Sequence, residues 1–312
     1  MTAAFTRLTL AALLSAVALP ALADYPNQPV SFIVPWPPGD LEDVLTRMIA
    51  DQMQTDHGVA AAVVNRPGGG GGPFPGAIDV AAAKPDGYTV GSFVLDVALV
   101  GHEIGIPELS PEKFDPVGIF LNYPFILAAK GDAPYKTVAD LTEYAKANPV
   151  AVGHFGIVTS PAQVTMAMAK TMGFEWGSDA AFDALDCNTL ASGDADVINT
   201  TVQLVLPCLS ELTVLVALTD NRIPLLPDVP TIGELAPEIA MSSWNGLFVT
   251  KDTPQEVRDV LAAVTQKAMA SERAQQLAKD TGAEVYWLDA AGSAARIAQD
   301  KETLGRIMAL IE

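Results

Sequence analysis

The stretch "PVSFIVPWPPGDLEDVLTRMIADQM", residues 29–53, runs from an apolar segment through a proline-rich turn into a helix. A short, continuous apolar run bounded by prolines reads as a strand buried on both faces. Pro37, Pro38, Gly39 and Asp40 make the turn. Beyond it Leu41, Val44, Leu45, Met48, Ile49 and Met53 recur at helical spacing and make one apolar stripe. Asp40 is placed to act as N-cap, with Asp43 three residues on. Strand, tight turn and amphipathic helix in this order form the repeating unit of an α/β fold with a largely parallel sheet.

The unit recurs along the chain. "AAVVNRP" (61–67) and "DGYTVGSFV" (86–94) read as strands, with a short helix in "AIDVAAAKP" (77–85) between them. "YPFILAAK" (123–130), "AVGHFG" (151–156), "DADVINT" (194–200) and "LTVLVALT" (212–219) are further strands. The helix in "KTVADLTEYAKANP" (136–149) takes Thr137 as N-cap. In "TSPAQVTMAMAKTMG" (159–173) Ser160 is the expected N-cap, Gln163 completes a capping box and Gly173 closes the helix. Thr253 and Glu256 suggest a second box around Pro254, after the "SSWNGLFVT" segment (242–250), and two more helical segments finish the chain. Two α/β halves, with the chain passing between them more than once, predict a bilobed molecule with a cleft. The expected division is 24–123 plus 223–312 for the first lobe and 124–222 for the second.

The first residues follow another rule. Arg7 is the sole charge before Asp24, and "LTLAALLSAVAL" (8–19) is an apolar run of leader length. Ala21 and Ala23 fit the small-residue pattern of a cleavage site. Residues 1–23 are therefore read as a signal peptide cut after Ala23, leaving 289 of 312 residues for export to the periplasm. No later run approaches the ~20 apolar residues that a membrane helix needs, so no stable membrane insertion is expected. The formal charge is −19, and removing Arg7 makes it −20. Such a surface repels nucleic acid and anionic lipid. Any anion site must then be assembled from local backbone donors. Cys187 and Cys208 are the two cysteines; in an oxidising compartment they read as a disulfide, with two buried reduced thiols as the alternative.

"NRPGGGGGPFPGAI" (65–78) places five glycines in succession. No lysine follows as a phosphate-binding P-loop requires, and proline or phenylalanine stands where a dinucleotide fingerprint needs its last glycine. Pro67, Pro73 and Pro75 stiffen the loop, which argues against a slack linker. A stiff glycine loop after a strand suits close approach of backbone N–H groups to a ligand. "PWPPGD", "GSFVLD" and "HFGIVTS" occupy equivalent positions beyond strand ends, two of them leading into helix N-termini that favour an anion.

These residues also carry a resemblance. Residues 25–50, the "NRPGGGGG…PDGYTVG" and "KTVADLTEYAKANP" segments, "PLLPDVPT" and "WNGLFVTKDTP" are, in that order, similar to the substrate-binding proteins of tripartite tricarboxylate transporters, the Bug-type receptors. The resemblance implies a two-lobed Venus flytrap that holds a small organic carboxylate by backbone amides and water and delivers it to a two-subunit membrane permease. It implies a monomer without cofactor or metal. Carried over by position, the first-lobe contacts are Trp36, Pro38, Gly39, Asp40 and Asp43, then Gly70, Gly71, Gly72, Pro73 and Phe74, then Ser92 and Asp96. The second-lobe contacts are Phe155, Thr159 and Ser160, with Asp183 and Asn199. Family members commonly have glycine where Asp40 stands and a Lys-Gly pair where Asp183 and Ala184 stand. A carboxylate in each jaw suits a monocarboxylate, or a ligand with a hydroxyl or ammonium group, better than a multiply charged anion.

Plainer readings stand beside these. Asp40, Glu42 and Asp43 in a first helical turn are ordinary dipole features, and their spacing is not that of a calcium loop. His57, His102 and His154 have no ligand-spaced companions, and His154 alone falls in a jaw loop. Trp36 and Phe155 either wall the ligand or pack in the core; Trp244 is expected at the hinge, and Met166, Met168 and Met172 as core filler. An exported hydrolase is the enzyme alternative, but the chain has neither a Gly-x-Ser-x-Gly elbow nor His-Glu-x-x-His. A paired-carboxylate glycosidase and a periplasmic sensor feeding a signalling protein complete the alternatives.

Overall fold

The computed structural model describes residues 25–68 and 72–312. The expected leader, residues 1–23, and Gly70 and Gly71 of the glycine loop lie outside the described residues. Strand β1 (Val30–Val34), buried except at half-buried Ser31, leads through Pro35–Asp40 into α1 (Leu41–His57). Leu41, Leu45, Ile49 and Met53 are fully buried on one face of that helix, each contributing ~1.5–3 kcal/mol relative to exposure. Gly58 ends it in the left-handed conformation, its N–H bonded to the Gln54 carbonyl.

Parallel β2 (Ala61–Asn65) and β3 (Thr89–Val94) flank β1, with α2 (Phe74–Ala81) between them in the chain. α3 (Leu95–Leu99) follows β3 directly. β4 (Phe114–Asn122) completes the first passage, and Tyr123 and Pro124 carry the chain across to β5 (Phe125–Lys130). The second sheet then takes β6 (Ala151–His154), β7 (Ser178–Ala181), β8 (Val197–Thr201) and β9 (Leu212–Ala217). Its helices are α4 (Val138–Ala145), α5 (Ser160–Met172), α6 (Cys187–Ser192) and α7 (Val202–Val205). The chain returns through α8 (Ile232–Leu235) to β10 (Trp244–Thr250), α9 (Gln255–Met269), α10 (Glu272–Thr281), β11 (Glu284–Asp289) and α11 (Ala290–Ile311). No described helix is long and apolar enough to cross a membrane.

The strand orders are β11-β4-β10-β3-β1-β2 and β7-β6-β8-β5-β9. Each sheet is mixed rather than largely parallel. β1, β2 and β3 run parallel, as do β6, β7 and β8, while β10, β4 and β11, and β5 and β9, join antiparallel. β4 and β9 lead into the two crossings between lobes and β5 and β10 follow them, and across these connections no βαβ unit fixes strand direction. Alternation along β5 separates two cores: Leu127 and Ala129 belong to a large core continuous with the first sheet, Ile126 and Ala128 to a smaller one beneath α6. α11 packs on both β4 and α5, so the C-terminal helix touches both lobes.

Three caps differ from expectation. Asp40 is the N-cap residue of α1, but its side chain caps nothing; the Asp43 carboxylate instead accepts the Gly39 N–H at 2.9 Å. Thr159, not Ser160, precedes α5, and Gln163 reaches the Ile157 carbonyl. Pro254 is the N-cap of α9, because the Thr253 hydroxyl donates back to Thr250. The Thr137 box forms, with Asp140 as its second member. Cys187 and Cys208 are joined by a disulfide in the second lobe. Trp244 opens β10 opposite Asn122, beside the crossing between lobes, buried and with its indole N–H donating to Asp300 at 2.8 Å.

Candidate functional site

The carboxyl ends of β1 and β3 face those of β6 and β8 across a cleft, the position where open α/β sheets collect their ligands. Between them lies a cavity of about 570 Å³, counted out to its mouth. From the first lobe it takes Trp36, Asp40, Leu41 and Glu42 after β1, and Val94, Leu95 and Asp96 after β3. Tyr123 and Phe125 enter at the crossing, and Ser243 just before β10. From the second lobe come Phe155, Thr159 and Pro161 after β6, and Thr201, Gln203 and Leu204 at the end of β8.

The two lobes touch across this cavity. The Ser160 N–H and hydroxyl both donate to one oxygen of Asp96, the N–H at 2.7 Å. Gln203 Nε2 donates to the Gly39 carbonyl at 3.0 Å. Gly39 has φ of 98°, a conformation that favours glycine. The Trp36 and Phe155 rings meet edge to face, 6.2 Å apart, and Phe125 does the same to Phe155 at 6.3 Å.

Among the described residues no lysine, arginine or histidine lines the cavity, whereas Asp40, Glu42 and Asp96 do. Burial pushes Asp96 up to about 6 against the opposing Ser160 donors. Asp40 is also raised to about 6, by burial first and by the Asp43 charge second. Glu42 is 2% exposed. Burial, then the neighbouring Asp40, carries it to about 8 although its own N–H and the Tyr123 hydroxyl favour the anion. A carboxyl in that state is neutral near pH 7. Tyr123 Oη lies 3.0 Å from Glu42 Oε2 and 3.3 Å from Asn245 Oδ1, and Asn245 in turn donates to Ser92 at 2.8 Å. A polar chain thus runs from the cavity floor into the first core. The indole N–H of Trp36 is buried and has no hydrogen-bond partner among the described residues.

Of the residues expected at the ligand, Trp36, Asp40, Asp96, Phe155 and Thr159 line the cavity, and Gly39 and Ser160 make the bonds between lobes. The others stand elsewhere for identifiable reasons. Asp43 is tied to Arg47, Asn65 and the Gly39 N–H; burial alone would raise it, but these donors hold it below the usual carboxylate range. Ser92 is buried between Thr46 and Asn245. Asn199 holds α5 through the Pro161 carbonyl and Thr165. Asp183 and Pro38 are exposed and outside the cavity lining. Phe74 opens α2 and packs in the first core, and neither Gly72 nor Pro73 reaches the cavity lining. The loop's flanking glycines answer a nearer need: a Cβ on Gly68 would collide with the Gly72 carbonyl, so the backbone closes on itself. His154 is buried with Nε2 2.9 Å from Asp179 and Nδ1 accepting the Gly156 N–H, which fixes the loop after β6.

Sequence reasoning missed Tyr123, Phe125, Pro161, Thr201, Gln203, Leu204 and Ser243. Thr201 to Leu204 follow a strand that was recognised, so the strand-end rule applied to β8 would have found them. Nothing in the spacing marks Tyr123 or Ser243, which enter where the chain changes lobes.

Residues 45–312 match the family model described as "Tripartite tricarboxylate transporter family receptor". The UPF0065 protein in the TAR-I ttuE-ttuC' intergenic region of Agrobacterium vitis is 31% identical over 281 residues, covering 83% of this chain and 78% of that one. The structure of periplasmic binding protein BugD superposes with a TM-score of 0.77 at 26% identity, covering 92% of this chain and 97% of BugD. MatC from Rhodopseudomonas palustris with bound malate gives a TM-score of 0.75 at 25% identity, covering 92% and 100%. Two mixed α/β lobes around a lined cleft, and a family match over most of the chain, lead to one conclusion: this chain belongs to the receptors of the tripartite tricarboxylate transporter family.

Proposed function

We propose that this receptor works in the periplasm, closes its two lobes on a small organic carboxylate, and presents the closed form to a two-subunit membrane permease. The observation that carries the reading is the cavity between the lobes, with Trp36 in its wall and the Trp36 indole N–H unpartnered among the described residues. A buried donor without an acceptor costs about 1–3 kcal/mol, which an incoming carboxylate or hydroxyl oxygen relieves. Neutral Glu42 lowers the charge that such an anion meets. The malate bound by MatC and the periplasmic setting of BugD support the same reading. In this account residues 1–23 are removed after Ala23, the mature chain is a monomer, and residues 124–222 move against 24–123 plus 223–312. Ligand contacts from both sides shift an open–closed equilibrium towards closed.

Thermal unfolding of the refolded protein against monocarboxylates, hydroxy acids, dicarboxylates and aromatic acids tests this. Ligand at about 100 times its Kd adds ~2.7 kcal/mol to the native state, a rise of about 4–5 °C for a chain of this size. Trp36→Phe keeps the wall but removes the donor, and is expected to weaken the best ligand about tenfold. A panel without any response, or full affinity in the variant, contradicts the reading.

A further inference from the structure

The cavity is built for more than an anion. Among the described residues it is lined by three acids and no base, and Arg47 next to it is already engaged. Arg47 is bound to Asp43 at 2.8 Å and to Asn65, both outside the cavity lining. Asp96 has its charge answered by the two Ser160 donors. Asp40 is different: among the described residues nothing donates a hydrogen bond to its carboxylate, although it lines the cavity. Glu42 beside it is buried, with Tyr123 as its side-chain donor. Around these two acids stand Trp36, Tyr123, Phe125 and Phe155. Carboxylates set among aromatic rings are the chemistry that recognises a cationic nitrogen, through charge pairing and cation–π attraction. The orphan Trp36 N–H, by contrast, calls for an acceptor oxygen. One wall therefore presents needs of opposite sign.

We propose that the ligand is an amino-bearing carboxylate, its protonated amine held by Asp40 and Glu42 among these rings while its carboxylate takes the Trp36 N–H. This rests on the carboxylate reading above and narrows it. A dicarboxylate would place two negative charges against Asp40 and Asp96 with no counter-ion in the cavity; an amino acid brings its own. The high proton affinity of Glu42 in the empty cleft fits the same role, since an ammonium beside it favours the anion and releases that proton.

The test is calorimetric titration of the refolded protein with two matched sets, of four and six carbons. Each contains the dicarboxylate, its α-amino derivative, the ω-amino acid and the diamine. An amino-bearing acid is expected to bind at least tenfold more tightly than the dicarboxylate of its set, with proton release when buffers of different ionisation enthalpy are compared. Asp40→Asn, at a half-buried position, is expected to erase that preference with the fold intact by circular dichroism. Equal or tighter binding of the dicarboxylates overturns this inference and leaves the carboxylate reading standing. Binding of the diamines alone overturns the carboxylate reading and keeps the cation site. Silence from every member overturns both.

Discussion

Replacing Glu42 by glutamine separates a neutral carboxyl on the cavity floor from an ordinary surface acid. Burial, aided by Asp40, raises this group from 4.5 to about 8. The unfolded chain gives up the same proton near its ordinary value. Between those limits the folded protein holds a proton that the unfolded chain has lost, so stability falls as pH rises. The contribution is complete below the unfolded pKa and gone once pH passes the folded one. Asp40 and Asp96, both raised to about 6, slope the same way but lower down. A window from about pH 6.5 to about 8 therefore isolates Glu42, and at 1.36 kcal/mol per pH unit it spans about 2 kcal/mol. Unfolding entropy for a chain of this length is on the order of 0.6 kcal/mol/K, which makes the expected loss about 3 °C. Glutamine keeps the shape and an acceptor for Tyr123 but has nothing to ionise. Scanning calorimetry of both proteins at the two pH values reads the difference, and any constant cost of the substitution cancels. Melting curves that move in parallel refute the reasoning.

Other outcomes follow from the same contacts. Asp96→Asn weakens the bond from the first lobe to Ser160, where a hydrogen bond to a charged group contributes about 1.5–3 kcal/mol; small-angle scattering is expected to show a larger radius of gyration without ligand, and an unchanged one counts against the latch. The Cys187–Cys208 bridge spans 21 positions, a loop whose closure contributes about 3 kcal/mol. Cys187→Ser is accordingly expected to melt about 5 °C lower under non-reducing conditions, with equal melting points as the contrary result.

Much of the fold was legible because local rules and tertiary packing agree. The run from Val30 to Met53 has the period of a strand and then of a helix, and the structure uses both. β4, β7 and β11 were not read as strands. Pro116 and Gly118 interrupt β4, β7 is four exposed residues, and β11 carries Trp287 over the close-packed Gly118; pairing partners far along the chain make them strands. The cleft was placed by the strand-end rule, which found Trp36, Asp96 and Phe155. Individual contacts were less readable. Asp40 and Asp43 are three residues apart on one turn, yet Arg47 claims Asp43 and leaves Asp40 facing the cavity. Which acid of a cluster is neutralised depends on side chains from other elements. In the glycine loop, close approach of backbone to backbone, as at Gly68, and of backbone to ligand ask for the same residue, so the glycines alone do not separate the two.

The most direct test of the central claim is a crystal structure of the refolded protein with the tightest ligand of the panels. The account predicts that ligand between the lobes, an acceptor oxygen within hydrogen-bond distance of Trp36 Nε1, and contacts to both Asp40 and Phe155. A ligand seated on the outer face of one lobe, or a cleft that stays without it at saturating concentration, would contradict the account.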